Sequence, residues 1–140
     1  MRNNGKLQPQ PNRLCFACGS ENAHGLQLHF ARMADGSVTA EWKTSIAFES
    51  FPGVIHGGII STVLDEAMSK AVSDSGSVGF TCELKVRYRH HLLPGEDVIA
   101  HGWVVDRHKR LTRTEASLCD RNGKERAHAW ASFLAPMASG

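Results

Sequence analysis

Hydrophobic and polar residues alternate along most of this chain, and a period of two predicts strands with one buried face. The alternating stretches lie at residues 26–30, 38–42, 80–89, 97–107, 111–120 and 124–134. Asp35-Gly36 and Asn122-Gly123 are two-residue hairpin signals between such stretches. Gly102 interrupts the fourth stretch and predicts a break there. The pattern therefore predicts about six antiparallel strands.

One stretch, residues 51–74, has the spacing of a helix instead. Residues 59–72 contain neither Gly nor Pro, and their apolar residues recur three and four positions apart. The broad apolar face that results consists of Ile60, Val63, Leu64, Ala67, Met68 and Ala71. At about 100° per residue, Asp65 falls on the flank of that face, whereas Glu66 is predicted to point further out.

Two strands, one helix and four strands in this order predict an α+β fold. A single domain would span residues 14–136, and the polar residues 1–13, which include two prolines, are interpreted as a flexible arm. The apolar helix would cover one face of a curled sheet. Because the other face and the sheet edge stay uncovered, we expect a homodimer or homotetramer.

Composition and charge narrow the function classes. A chain of 140 residues with 41% hydrophobic and 21% charged residues suits a globular domain. It has no apolar run of membrane-spanning length and no secretory signal, so we predict a cytoplasmic protein without a membrane partner. A net charge of +2 does not indicate a nucleic-acid partner. Two local basic clusters lie at residues 85–89 and 107–113. They are either solvated surfaces or a binding site for a phosphate-bearing anion.

The four cysteines, at positions 15, 18, 82 and 119, are expected to be reduced. Cys15 and Cys18 have zinc-type spacing, but a second cysteine pair is missing. His24 and His29 are the residues that could complete such a site. The interpretation we favour is a tight turn whose thiols pack on the domain edge, without a metal.

Three features that could take part in a reaction lie together at the predicted helix. His56-Gly57-Gly58 precede it, and N–H groups at a helix start lack internal partners and carry partial positive charge. Glycine would let a substrate carbonyl approach them. Asp65, on a largely apolar helix, would be partly buried, which raises the pKa of a carboxyl group and suits a general base. For His56 we favour a structural role that fixes the turn.

The stretch HGGIISTVLDEAMSKA resembles the signature of the hotdog-fold acyl-CoA thioesterases, specifically the PaaI-like branch. In that family, His-Gly-Gly is followed by seven to eight mostly apolar or small residues and then by a catalytic Asp or Glu. CFACGSENAHGLQLHF is similar to an N-terminal segment found in many members. The resemblance covers residues 14–135 and implies a hotdog fold, in which a curled antiparallel sheet wraps one long helix.

The resemblance also implies residue roles. Asp65 would be the catalytic carboxylate, the N–H of Gly57 or Gly58 would hold the thioester oxygen, and His56 would support that turn or the substrate. Thr81 matches a hydroxyl residue that often orients water. Where many relatives have Asn or Gln, six residues before the histidine, this chain has Ser50.

The resemblance implies that one site is shared across a dimer interface, so Asp65 and Gly57 would come from different subunits. It implies no metal and no cofactor, with the coenzyme A thioester as substrate. Candidate residues for binding coenzyme A are Arg87, Arg89, Arg107 and Lys109.

The function predicted is therefore hydrolysis of an acyl-CoA thioester. Asp65 would either activate water or attack the carbonyl itself to give a mixed anhydride. Two alternatives remain open. A hotdog hydratase or dehydratase would use His56 with Asp65, and a non-catalytic protein would bind acyl-CoA or a protein partner, with zinc in the cysteine segment.

Overall fold

The computed structural model describes residues 11–137, so most of the predicted arm at residues 1–13 lies outside the described residues. The described chain contains one long helix, α1 (Gly57–Asp74). Its strands are β1 (Ala31–Arg32), β2 (Val38–Lys43), β3 (Phe80–Tyr88), β4 (Asp97–His108), β5 (Leu111–Asp120) and β6 (Glu125–Leu134). Element order and number confirm the predicted α+β fold.

The six strands form one antiparallel sheet in the order β1-β2-β4-β5-β6-β3. Strand β3 follows the helix and pairs with β6, the last strand, so it lies at one edge of the sheet. Strand β1 forms the other edge and pairs with β2 over only two residues. The sheet is not closed, and β3 presents a nine-residue edge without a partner in the described chain.

Helix α1 lies across the inner face of the sheet and contacts β2, β3, β4, β5 and β6. Its predicted apolar face is buried: Ile60, Val63, Leu64, Ala67, Met68, Ala71 and also Val72. Gly102 does not break β4, contrary to the expectation from sequence. A Cβ there would lie 2.4 Å from the carbonyl oxygen of Ala67, so this glycine lets the helix approach the strand closely. In residues 11–137, no helix is long and apolar enough to span a bilayer.

The first predicted hairpin is wrong in its first strand. Residues 26–30 were expected to pair with residues 38–42, but the paired strand β1 begins only at Ala31. Gln27 has a left-handed backbone (φ 51), which interrupts an extended strand. The N–H groups of Leu26 and Leu28 donate instead to the carbonyls of Phe16 and Ala17, at 2.8 and 2.9 Å. This segment therefore binds the cysteine turn rather than β2.

Candidate active site

The start of α1 is capped by its own histidine. His56 is the N-cap residue, and its ring Nδ1 accepts a hydrogen bond from the N–H of Gly58 at 2.8 Å. The His56 carbonyl accepts from the N–H groups of Ile59 and Ile60. The N–H of Gly57 has no acceptor within the described residues. Of the two glycines in the sequence motif, Gly57 is thus the one whose donor is left for a ligand.

Tyr88, at the end of β3, closes over this helix start. Its hydroxyl donates to the carbonyl of Gly57 at 2.9 Å and also hydrogen-bonds the hydroxyl of Ser61. An added Cβ on Gly57 would lie 3.4 Å from the tyrosine ring. Sequence reasoning missed Tyr88 as a site residue, because in the strand pattern it was only one more apolar position. Nothing in the sequence around Tyr88 indicates that the end of this strand lies beside Gly57 in the folded chain.

Two turns further along α1, Asp65 forms the second part of the site. Its Oδ1 accepts a hydrogen bond from the Thr81 hydroxyl of β3 at 2.8 Å. Burial raises the pKa of Asp65; the Thr81 hydrogen bond partly opposes this rise, and the charge of Glu66 adds to it. The structure therefore brings Asp65 and Thr81 together, and the carboxyl group is largely withdrawn from water.

A bulge in β3 brings Thr81 to the helix. The register between β3 and β6 shifts between Thr81 and Glu83. Beyond the bulge, Tyr88 faces α1, whereas Lys85 lies over the Trp130 ring on the outer face. With strict alternation, Thr81 would share the outer face with Lys85. The extra residue reverses the alternation, so Thr81 faces Asp65 instead.

Ser50 is not part of this arrangement. Its N–H and its hydroxyl both donate to the carbonyl of Val54, at 2.9 and 3.5 Å, within the turn before α1. The adjacent Glu49 carboxylate accepts from the N–H of Gly53. Within residues 11–137, no hydrogen bond links Ser50 to Asp65 or Thr81.

The four basic residues predicted to bind coenzyme A fall into two groups within one chain. Arg87 is on β3 and Arg89 directly follows its last residue, Tyr88, so both are near the start of α1; Arg89 pairs with Glu125 at 2.8 Å. Arg107 donates to the Ser75 hydroxyl at 2.7 Å, at the other end of α1, and Lys109 lies in the adjoining turn. One chain therefore does not gather all four around one point.

Glu66 does not point outward as predicted. The turn that contains Cys15 and Cys18 covers it, and its side chain is only 16% exposed. His24 and His29, which could have completed a metal site with the thiols, are not in this group. The two neighbouring carboxylates of α1 therefore face different parts of the protein, Asp65 towards β3 and Glu66 towards the cysteine turn.

With this geometry established, comparison with known proteins assigns the family. The family described as the thioesterase superfamily matches residues 52–127, more than half of the 140-residue chain. The chain belongs to the thioesterase superfamily. The matched region contains the His56 turn, all of α1 and Thr81. It leaves out the cysteine segment and most of β6.

A curated relative of this thioesterase superfamily chain is human acyl-coenzyme A thioesterase 13. The two are 26% identical over 90 residues, which are 63% of this chain and 64% of the human protein. The corresponding protein of the orangutan Pongo abelii gives the same values. This chain thus spans slightly less than two thirds of the length of these relatives.

Solved structures of similar proteins have the same fold. A thioesterase superfamily protein superposes with a TM-score of 0.81 at 24% identity, over 84% of this chain and 61% of that one. A hypothetical thioesterase with coenzyme A from Streptococcus pneumoniae has a TM-score of 0.73 at 18% identity, over 78% and 85%. The Escherichia coli PaaI protein from the phenylacetic acid degradation operon has a TM-score of 0.73 at 15% identity, over 78% of this chain and 83% of that one. These likenesses confirm the expected hotdog fold.

Proposed function

We propose that this protein hydrolyses acyl-CoA thioesters and that Asp65 is the reacting carboxylate. The observation that carries the proposal is the Asp65 carboxyl group, which is largely buried beside the open sheet edge and held by Thr81 at 2.8 Å. Burial raises the pKa of Asp65 and so makes its carboxylate a stronger base than one in water. The human relative is named as an acyl-coenzyme A thioesterase, which supports this reaction class.

The N–H of Gly57 is the donor that we assign to the thioester oxygen. It points out of the helix start without an acceptor in residues 11–137, where the partial positive charge of the helix favours developing negative charge. The N–H of Gly58 is occupied by His56. This occupation also argues against an acid–base pair of His56 with Asp65, because the ring Nδ1 already serves the cap.

The reaction needs two chains. Gly57 and Asp65 are eight positions apart in α1, which corresponds to about 12 Å along the helix axis. One thioester carbonyl cannot contact both groups at that separation. A second copy that places its Asp65 beside the first copy's Gly57 would complete the site, and by symmetry it would complete two sites.

The edge strand β3 supports such a dimer. Its side chains Phe80, Leu84 and Tyr88 are 44%, 38% and 50% exposed, although they are large and apolar. Within residues 11–137, the strand edge also carries unpaired backbone groups beside the site. Pairing with a second copy would bury the exposed apolar side chains and the unpaired backbone groups. It would also bring each β3 close to the partner's helix.

The coenzyme A part of the substrate would lie near basic side chains. A structural neighbour from Streptococcus pneumoniae was solved with coenzyme A, which supports this ligand class. Arg87 and Arg89 are at the Gly57 end of α1, whereas Arg107 and Lys109 are at the other end. In a dimer with shared sites, the two groups would come from different subunits. Phosphate groups suit such side chains.

The proposed hydrolysis uses no metal and no cofactor, and Asp65 acts either on water or directly on the carbonyl. Four unpaired cysteines fit a reducing compartment, so we place the protein in the cytoplasm. A single turnover in heavy-oxygen water separates the two routes. A mixed anhydride that water opens at the Asp65 carbonyl would leave the label in the peptide that contains Asp65, whereas general-base catalysis would place the label in the released acid and leave that peptide unlabelled.

A panel of acyl-CoA thioesters, monitored for free thiol, tests the function. We expect wild-type protein to release coenzyme A from at least one acyl class and Asp65→Asn or Asp65→Ala to lower kcat at least about a hundredfold. Asp74→Asn is the matched control, because Asp74 is an exposed carboxylate in the last turn of the same helix. Full turnover by both Asp65 variants would contradict the proposal. A change in double-bond absorbance without thiol release would instead indicate a hydratase.

A further inference from the structure

The cysteine turn and α1 bring three metal-ligand side chains to one point. The Sγ atoms of Cys15 and Cys18 and a carboxylate oxygen of Glu66 all lie within 4.8 Å of one another. Two of them come from a turn before the first strand and the third from the middle of the helix. They are far apart in sequence, and the cluster exists only because the turn is folded onto the helix.

The backbone fixes the positions of both thiols. The N–H of Gly19 donates to the carbonyl of Cys15 at 2.8 Å, and a Cβ on Gly19 would lie 2.4 Å from the Cys15 nitrogen. Only glycine allows the chain to fold back this tightly. Below the turn, Ala17 is buried in the core and its carbonyl accepts from Leu28. The thiols are therefore preorganised rather than carried on a loose loop.

The donor set suits a thiophilic divalent cation. Two thiolates and one carboxylate match the ligands that Zn²⁺ takes in proteins, and thiolates select it over Mg²⁺ or Ca²⁺. Three anionic ligands would leave the bound ion with one excess negative charge. The Lys70 ammonium group, 3.9 Å from Oε1 of Glu66, would neutralise that charge.

A cleft beside the cluster would let a metal ion reach it from solvent. A cleft of about 270 Å³ is lined by Cys18 and Lys70 together with His29 and Asp74. It gives an ion access to the Cys18 side of the cluster and has room for a water molecule as a fourth ligand. On the other side, Glu66 is largely covered, so its carboxylate is not merely solvated.

We propose that Cys15, Cys18 and Glu66 bind one Zn²⁺ ion, with water in the fourth position. The ion would tie the N-terminal turn to α1 and would have a structural role, because it lies on a different flank from the Asp65–Thr81 pair. This proposal does not depend on the proposed hydrolysis. It assigns chemistry to a segment that lies outside residues 52–127, the part matched by the family.

Metal content of the full chain, expressed with added Zn²⁺ and freed of loose ions by gel filtration, tests the proposal. We expect about one zinc per chain. Titration of the metal-free protein with Co²⁺ should produce a thiolate-to-cobalt charge-transfer band that Zn²⁺ abolishes. Cys15→Ser and Cys18→Ser should reduce the band to background. Cys82→Ser, which changes an exposed cysteine on β3, should leave both readouts unchanged.

Glu66→Gln keeps both thiols and tests the carboxylate without disturbing the turn. We expect it to weaken Co²⁺ binding at least about tenfold. Lys70→Met should weaken it by a smaller factor. Circular dichroism establishes that each variant is folded.

Either of two results would overturn the metal site, and a third would move it elsewhere. One is wild-type protein with no zinc and no cobalt band. The other is a Cys15–Cys18 disulfide, lighter by two hydrogens, in protein purified under argon. Equal metal content in wild type and Cys15→Ser would likewise assign the ion to another place.

Discussion

Asp65 and Glu66 are adjacent carboxylates on α1, yet the two flanks of the helix place them in different chemical surroundings. Asp65 faces β3, accepts a hydrogen bond from Thr81 and lies beside an unpaired sheet edge. Glu66 faces a turn with two thiols and lies 3.9 Å from the Lys70 ammonium group. Asp65 has no cation among its hydrogen-bond or ion-pair partners within residues 11–137, whereas Glu66 has one.

The difference suits the same functional group to the two different roles proposed above. A carboxylate withdrawn from water without a counter-charge becomes more basic, which is useful towards a thioester or a water molecule. A carboxylate beside thiols and a cation is suited to holding a metal ion or a segment of chain. The elements packed against the helix, and not the helix itself, create these different surroundings.

The largest expected effect is the difference in kcat between variants of Asp65 and Glu66. Asp65→Asn should lower kcat for thioester hydrolysis at least about a hundredfold. Glu66→Gln should lower it by less than about threefold, because Glu66 faces the cysteine turn, away from the reacting carbonyl. Initial rates of thiol release with one acyl-CoA measure both. A comparable loss in the two variants would mean that the flanks are not functionally distinct.

Removing a single N–H group tests the donor at the helix start. Gly57→Pro should lower kcat about a hundredfold, because it deletes the N–H that has no acceptor within residues 11–137. Proline is tolerated at the first helical position, and His56 before it is already extended, with ψ 127. Gly57→Ala keeps the donor and should retain most of the turnover.

The same variant tests whether the site is shared. A purified heterodimer of one Asp65→Asn chain and one Gly57→Pro chain would contain one site with both defects and one with neither. We expect it to recover about half of the wild-type rate. A heterodimer as inactive as its parents would show that Asp65 and Gly57 of the same chain act together.

A smaller effect is expected from the hydroxyl group that positions Asp65. Thr81→Val should lower kcat about tenfold, the equivalent of one lost hydrogen bond. Because the Thr81 hydrogen bond lowers the pKa of Asp65, its loss should raise that pKa further and move the acid limb of the rate profile to higher pH. Thr81→Ser should restore the wild-type profile. An acid limb at the same pH in Thr81→Val would argue against this contact.

The smallest effect concerns stability. Because burial raises the pKa of Asp65 above its ordinary value of 3.8, the native state binds a proton more tightly there than the unfolded state. The contribution of Asp65 to the free energy of unfolding therefore falls as pH rises through the raised pKa. Asn does not ionise, so Asp65→Asn does not lose this part of the free energy of unfolding as pH rises. It should therefore melt a few degrees higher than wild type at neutral pH. Melting curves at pH values from about 3 to 7 would show the two diverge.

Local patterning was sufficient for most of the architecture. The apolar spacing in residues 59–72 predicted α1, and alternation predicted β2 to β6 to within two residues at each end. These predictions hold because burial on one face imposes a period on the sequence. The prediction failed at residues 26–30, where the alternation is real but the backbone of Gln27 is left-handed and the partner is the cysteine turn.

The candidate site was less predictable than the fold. Asp65 and the glycine turn were predicted from the sequence motif and Thr81 from the family resemblance. Tyr88 was not predicted, because its contact with Gly57 joins residues 31 positions apart. The bulge that turns Thr81 towards Asp65 was also invisible, since one extra residue in a strand leaves no mark in an alternating pattern. Glu66 was predicted to be exposed, because helical periodicity contains no information about a segment that folds over the helix.

The sequence by itself therefore determined the helix, the position of Asp65 on its flank, the strands and the family motif, because each depends on residues that are close in the chain. Only the tertiary structure decided that Gly57 rather than Gly58 keeps an N–H without an acceptor in residues 11–137, that Tyr88 and Thr81 reach the helix, and that Glu66 lies beside two cysteines. These contacts depend on sheet register and on how one turn packs. Both are set by the folded chain as a whole and not by any local period.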